Sequence, residues 1–136
     1  QFENVISQML GKGAQSCVSG QICGKAIAIE HDGDVYSCDR FVYPEYRLGN
    51  ILHVHEGEMA FSNRQKEFAY AKHKSLPQYC KVCSYLKLCW GECPKNRFVK
   101  TPEGEAGLNY LCPGLKIFYK KALTDLPVIL RRLNFR

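Results

Sequence analysis

Cys80, Cys83, Cys89 and Cys93 form one short run, Cys-x2-Cys-x5-Cys-x3-Cys, and Cys17, Cys23, Cys38 and Cys112 bring the chain to eight cysteines, two complete sets of four. Thiolates separated by two or three residues can turn toward one point, so the segment YCKVCSYLKLCWGECP reads as a chelator of soft metal. Three chemistries suit such a set. Disulfides belong to oxidising compartments and are rare in the cytosol. Structural zinc is usually held by paired Cys-x2-Cys knuckles. Only Cys80 and Cys83 have that spacing here, and the pairs Cys17 with Cys23 and Cys89 with Cys93 are wider. An iron-sulfur cubane accepts wider gaps, because its four irons face different directions. In bacterial ferredoxins, moreover, the cysteine just before a proline ligates the other of two clusters, and Cys93 precedes Pro94. Cys17, Cys23 and Cys38 are only three ligands, so a first set of four must take a member from the later cysteines.

The elements that carry these thiols are short. Residues 1–11 have apolar side chains at helical spacing (Phe2, Val5, Ile6, Met9, Leu10) and end at Gly11-Lys12-Gly13, which predicts a helix followed by a loop carrying Cys17 and Cys23. The alternating segments 26–29 and 34–37 flank His31-Asp32-Gly33, the signature of a β-hairpin with Gly33 at positive φ. Such a hairpin returns Cys38 toward Cys23, where the two can share a site. The chain is expected to turn over 47–50 and then to form one or two helices within 51–74, broken near Ser62. Leu76-Pro77 ends them, and the cysteine run is expected to consist of tight turns. A Gly-rich connection over 101–109 leads to Cys112 and a helical tail over 114–136, which Pro127 should interrupt or restart. The fold class expected is a small irregular α+β domain, a β-hairpin and helices arranged around two metal clusters.

A chain of 136 residues with 46% apolar composition is one domain with a modest core. No apolar run is long enough to cross a bilayer, and the first residues resemble no secretory signal, so a cytoplasmic location is expected. The opening without methionine suggests a piece of a longer protein. The formal charge of +6 counts every cysteine as neutral. Four thiolates around a 4Fe-4S core leave roughly −2 per site, so two sites lower the net charge to about +2. Lys81, Lys87, Lys95, Arg97 and Lys100 then read as compensation for buried anionic groups, and nucleic acid is not an expected partner.

The pattern Cys23-x9-Gly33-x4-Cys38, then Cys80-x2-Cys83-x5-Cys89-x3-Cys93, then Cys112 resembles the seven-cysteine signature of the SPASM domain, an auxiliary extension of radical S-adenosylmethionine enzymes that modify peptides and proteins. Cys17 and the stretch 35–51 are similar to the anaerobic sulfatase-maturating subgroup, which oxidises a sulfatase cysteine or serine to Cα-formylglycine. The resemblance covers 17–120, and it implies a linker from a radical S-adenosylmethionine barrel over 1–16 and a final helix over 121–136. It assigns Cys17, Cys23, Cys38 and Cys93 to one 4Fe-4S cluster and Cys80, Cys83, Cys89 and Cys112 to a second. Apart from the resemblance, the cysteines leave open zinc as a possible substitute and, with it, a zinc-binding interaction module; within the family, a domain of another peptide-modifying enzyme is the alternative. The resemblance also makes Asp39 the base that takes a proton from the substrate. The partners implied are the barrel, with its own third 4Fe-4S cluster and S-adenosylmethionine, and a sulfatase polypeptide. A membrane is not among them. The barrel's Cys-x3-Cys-x2-Cys motif is absent from these 136 residues, so this segment alone is not expected to cleave S-adenosylmethionine.

Other residues invite smaller expectations. His53 and His55 alternate, which would put both on one face of a strand, yet two ligands make a poor metal site and a solvated or hydrogen-bonded pair is the simpler reading. Trp90 is expected to pack around the clusters. Phe41, Tyr43 and Tyr46 follow Asp39 closely enough to contact substrate. Arg131, Arg132 and Arg136 read as a solvated helix face.

Overall fold

The computed structural model describes residues 1–132, which divide into two units, Gln1–Gln21 with the segment from Leu76 onward, and Ile22–Ser75. The expected position of Arg136 and the end of the predicted tail helix lie outside the described residues.

In the first unit, α1 (Phe2–Met9) buries Val5 against Tyr119, Ala122 and Leu126 of α6 (Cys112–Arg132). These positions recur at three and four residues, so one helical face supplies the core. Helix α6 runs unbroken through Pro127, contrary to the expected interruption. A proline removes one N–H and crowds the preceding turn, but the burial of Tyr119, Ala122 and Leu126 along one face holds both halves of α6 in line. The cysteine run is more regular than its sequence suggests, with one-turn helices α4 (Gln78–Lys81) and α5 (Leu86–Cys89). Pro77 caps α4 in extended conformation, and Trp90 ends α5 in the left-handed region at φ 47°. The Gly-rich connection contains a ribbon, β4 (Val99–Lys100) paired antiparallel with β5 (Ala106–Leu108). A second small core gathers Leu76, Cys80 and Leu108, with Trp90, Val99 and Cys112 packed on it.

In the second unit the predicted hairpin is present as β1 (Ala28–Ile29) and β2 (Asp34–Tyr36), and Gly33 turns it at φ +85°. Where a turn was expected, residues 47–50 form a third antiparallel strand, β3 (Arg47–Asn50), on the other side of β2. Its Arg-Leu-Gly-Asn sequence has no alternation to announce a strand. Pairing holds it, along with Arg47 and Asn50, which both bond to Asp34 and keep that carboxyl at about pKa 2. Beyond it come α2 (Glu56–Ala60) and α3 (Asn63–Lys74), separated as expected at Ser62, whose hydroxyl accepts the Gln65 N–H at 3.1 Å as an N-cap. Val35, Met59 and Ala69 are buried here. Phe41, Tyr46 and Phe68 meet edge to face with ring centroids 4.9–5.6 Å apart.

Candidate metal centre

Four segments of the first unit deliver one cysteine each to a common recess. Cys80 comes from α4, Cys83 from the turn after it, Cys89 from the last position of α5 and Cys112 from the first position of α6. The recess opens to solvent and is walled on its apolar side by Leu86 and Leu115. Its position follows from packing, since Leu76 and Cys80 anchor α4 on the small core while Tyr119 and its helix neighbours anchor α6 on the other. Among the described residues no three His, Cys, Asp or Glu side chains converge closely enough for a single metal ion. The four thiols form a wider ring.

Electrostatics at the recess favours neutral thiols until a cation arrives. Burial pushes Cys80 and Cys112 up and carries Cys89 to about 11, and the other thiols of the ring add to the rise. Lys116 pulls Cys80 and Cys112 the other way, as does a backbone hydrogen bond from Gly91 on Cys89. A metal binding here must therefore displace protons. Tyr119 is 1% exposed and donates to the Leu88 carbonyl at 3.3 Å. Its hydroxyl also lies within hydrogen-bond reach of Cys89, and burial raises its pKa strongly.

Cys93 does not line this recess, although it is only four positions beyond Cys89. Between them Trp90, Gly91 and Glu92 are all left-handed, at φ 47°, 66° and 53°. Consecutive left-handed residues cost roughly 1–2 kcal/mol each for non-glycine side chains, so something must hold them. Arg97 does. Its guanidinium donates to the carbonyls of Trp90 at 2.6 Å, Gly91 at 3.0 Å and Glu92 at 3.2 Å. Glu92 is itself buried and accepts from Gln1 at 2.8 Å and Asn109 at 3.4 Å. The reversal ends with Cys93 buried at 7% exposure as the N-cap of the turn Pro94–Asn96.

Cys17 is exposed in the short 3-10 turn Cys17–Ser19 of the first unit. Cys23 and Cys38 belong to the second unit, where a single side chain ties their neighbours. The amide of Gln65, 1% exposed, donates to the carbonyl of Gly24 at 3.3 Å and of Ser37 at 3.1 Å. The Cys23 N–H is fixed to the Ala69 carbonyl at 3.1 Å. Asp39 is exposed, and its Oδ1 accepts from the Cys38 thiol at 3.1 Å.

Two side expectations change. His53 lies in an exposed turn rather than a strand, and His55 N-caps α2, its Nδ1 accepting from Gly57 at 3.0 Å. Phe41 and Tyr46 are half-buried in the aromatic group around Phe68, leaving Tyr43 as the exposed member. Trp90 packs on the core beside Cys80 and Cys112, as expected. Sequence reasoning did not single out Gln65 or Lys116, and it read Arg97 only as bulk charge. Nothing in the local sequence distinguishes these three, because their partners are 5 to 41 residues away.

The sequence and the fold both have known counterparts. Residues 17–84 match the family model of SPASM, an iron-sulfur cluster-binding domain. A serine-type anaerobic sulfatase-maturating enzyme of Bacteroides thetaiotaomicron is 47% identical over 119 residues, which is 88% of this chain and 29% of that protein. A cysteine-type anaerobic sulfatase-maturating enzyme of Clostridium perfringens (strain 13) is 33% identical over 125 residues, covering 92% of this chain and 33% of that one. The solved structure of native anSMEcpe with bound AdoMet and Cp18Cys peptide superposes with a TM-score of 0.82 at 30% identity, covering 98% of this chain and 36% of that one. The chain thus spans about a third of the length of the relatives it matches, and within that span it belongs to the SPASM family of iron-sulfur cluster-binding domains.

Proposed function

We propose that this chain is the auxiliary iron-sulfur part of a radical S-adenosylmethionine enzyme that oxidises a cysteine or serine of a sulfatase to Cα-formylglycine in the cytoplasm. The observation that carries this reading is the recess itself, where Cys80, Cys83, Cys89 and Cys112 bring four thiols, one buried and three half-buried, from four segments to one opening. The donor set is all sulfur, which suits iron-sulfur groups. These four would hold one 4Fe-4S group. Cys17, Cys23, Cys38 and Cys93 would hold the other, an assignment supported by their spacing and by the family resemblance. When bound, a group ligated by four thiolates supplies one-electron transfer without an exchangeable position for substrate. The roles proposed for the two groups are electron transfer, substrate positioning and support of the fold. S-adenosylmethionine, its own cluster and the barrel that binds them would lie outside this chain.

Asp39 is the proposed base. A cysteine thiol can donate to its carboxylate, as Cys38 does here, but a thiolate cannot. Ligation of Cys38 would therefore release the exposed Asp39 carboxylate to accept a proton from a substrate. Tyr43, exposed nearby in sequence, is a candidate contact for the peptide. The test is Asp39→Asn in the full-length enzyme, with formylglycine in a sulfatase peptide counted by mass spectrometry and 5′-deoxyadenosine counted in parallel. Loss of formylglycine with 5′-deoxyadenosine still formed supports the assignment. Full formylglycine yield removes Asp39 as the base, and a thioether or carbon–carbon crosslink formed in a peptide in place of formylglycine would redirect the substrate reading.

A further inference from the structure

Among the described residues lining the thiol recess, Lys116 is the one cation, and an aromatic partner holds it in place. Lys116 lines the recess one helical turn after Cys112, and its Nζ donates to the Tyr79 hydroxyl at 2.6 Å while lying 4.2 Å from the centre of the Tyr79 ring. Tyr79 also lines the recess, immediately before Cys80. A hydrogen bond and a cation–π contact to this one side chain therefore hold the ammonium at the opening. Lys116 thus shares one recess with all four thiols, Cys80, Cys83, Cys89 and Cys112.

A tetrathiolate 4Fe-4S group takes one electron in passing from a core of about 2+ to about 1+, so its net charge moves from roughly −2 to −3. A fixed positive charge beside it stabilises the more negative state. Arg97 adds a second positive charge acting on Cys80, but its guanidinium is committed to the carbonyls of residues 90–92. We infer that Lys116, oriented by Tyr79, is a positioning residue that raises the reduction potential of the group bound by Cys80, Cys83, Cys89 and Cys112. This rests on the reading of the recess as a cluster site. Sequence alone gives no hint of it, since Lys116 and Tyr79 are 37 positions apart.

The experiment is a dithionite titration of the anaerobically reconstituted full-length enzyme, followed by electron paramagnetic resonance with iron counted in every sample. Wild type, Lys116→Met and Lys116→Arg are compared. Methionine keeps the apolar stem that packs on the recess and removes only the charge. Cys83→Ala identifies the resonance belonging to the recess by its loss. The expected result is that Lys116→Met retains full iron but shows about a tenfold lower ratio of reduced to oxidised group at a given potential, or 59 mV for a one-electron couple. Lys116→Arg should recover most of that ratio. An unchanged ratio in Lys116→Met with full iron overturns the inference and leaves the cluster reading standing. Equal loss of iron in the Met and Arg variants also overturns it, because the lysine is then a structural member of the wall. Undiminished iron in Cys83→Ala overturns the cluster reading itself.

Discussion

Replacing Gly91 by alanine should destabilise the turn between Cys89 and Cys93 by about 2–5 kcal/mol. Gly91 sits at φ +66° between two other left-handed residues, and an alanine there carries a conformational penalty of roughly 1 kcal/mol. Its Cβ would also stand 2.6 Å from Leu76 Cδ2, 2.8 Å from Arg97 Nη2 and 2.9 Å from Arg97 Cζ. Neither neighbour can step aside easily. Leu76 is 3% exposed in the small core, and Arg97 is tied to three carbonyls. Overpacking of this kind costs about 1–3 kcal/mol, and loosening Arg97 adds the loss of charged hydrogen bonds. The structure supplies its own control in Gly104, which is equally left-handed at φ +88° but has nothing within 4 Å of a Cβ. Gly104→Ala should show the conformational penalty alone, about 1 kcal/mol. The assay is thermal unfolding of the reconstituted protein with iron counted before and after. Gly91→Ala should lower the midpoint by roughly 6–20 °C and lose iron, while Gly104→Ala shifts it only a few degrees and keeps its iron. Equal shifts in the two variants would show that Arg97 and Leu76 do not enforce the turn.

Two further perturbations probe the parts on either side. Gln65→Leu fills the same space but leaves the carbonyls of Gly24 and Ser37 without their donor, a loss of about 2 kcal/mol, and should speed amide hydrogen exchange around Cys23 and Cys38. Unaltered exchange there would mean that Gln65 does not tie the two segments. The metal-free protein should weaken in alkali. Cys89 titrates near 11 when folded against an ordinary 9.0, so between these values the unfolded chain has released a proton that the folded one keeps. That contribution is complete below about pH 9 and disappears as the pH rises toward 11. Denaturant midpoints of the metal-free protein measured from pH 8 to 10.5 should fall across the window, and a flat profile would contradict the burial of Cys89.

What could be read from the sequence was whatever is encoded locally. The Asp-Gly turn announced the hairpin, Ser62 announced the break between α2 and α3, and the cysteine spacings with Gly33 announced the SPASM family. The missed elements are those that partners impose. Strand β3 and the β4–β5 ribbon are two to four residues long, too short for a period to emerge, and exist because another strand accepts them. Pro127 was read by its intrinsic preference, and packing along the Tyr119–Ala122–Leu126 face overrode it. The same holds for the site. Cysteines advertise themselves, whereas Arg97, Gln65 and Lys116 matter only through side chains or carbonyls brought beside them by the fold. No helix among the described residues is long and apolar enough to cross a membrane, which agrees with the hydropathy of the sequence.

The central claim is that two iron-sulfur groups share the cysteine run, with Cys80, Cys83 and Cys89 serving one and Cys93 the other. It is tested most directly by counting iron and acid-labile sulfide in the anaerobically reconstituted chain and in its Cys93→Ala variant, with Mössbauer spectra of both. About eight irons and eight sulfides are expected in the wild type, as two 4Fe-4S groups require. The variant should keep about four, with the recess group intact. Two zinc ions and no uptake of iron would contradict the account, as would a Cys93→Ala protein that loses the group bound by Cys80, Cys83, Cys89 and Cys112 and keeps the other.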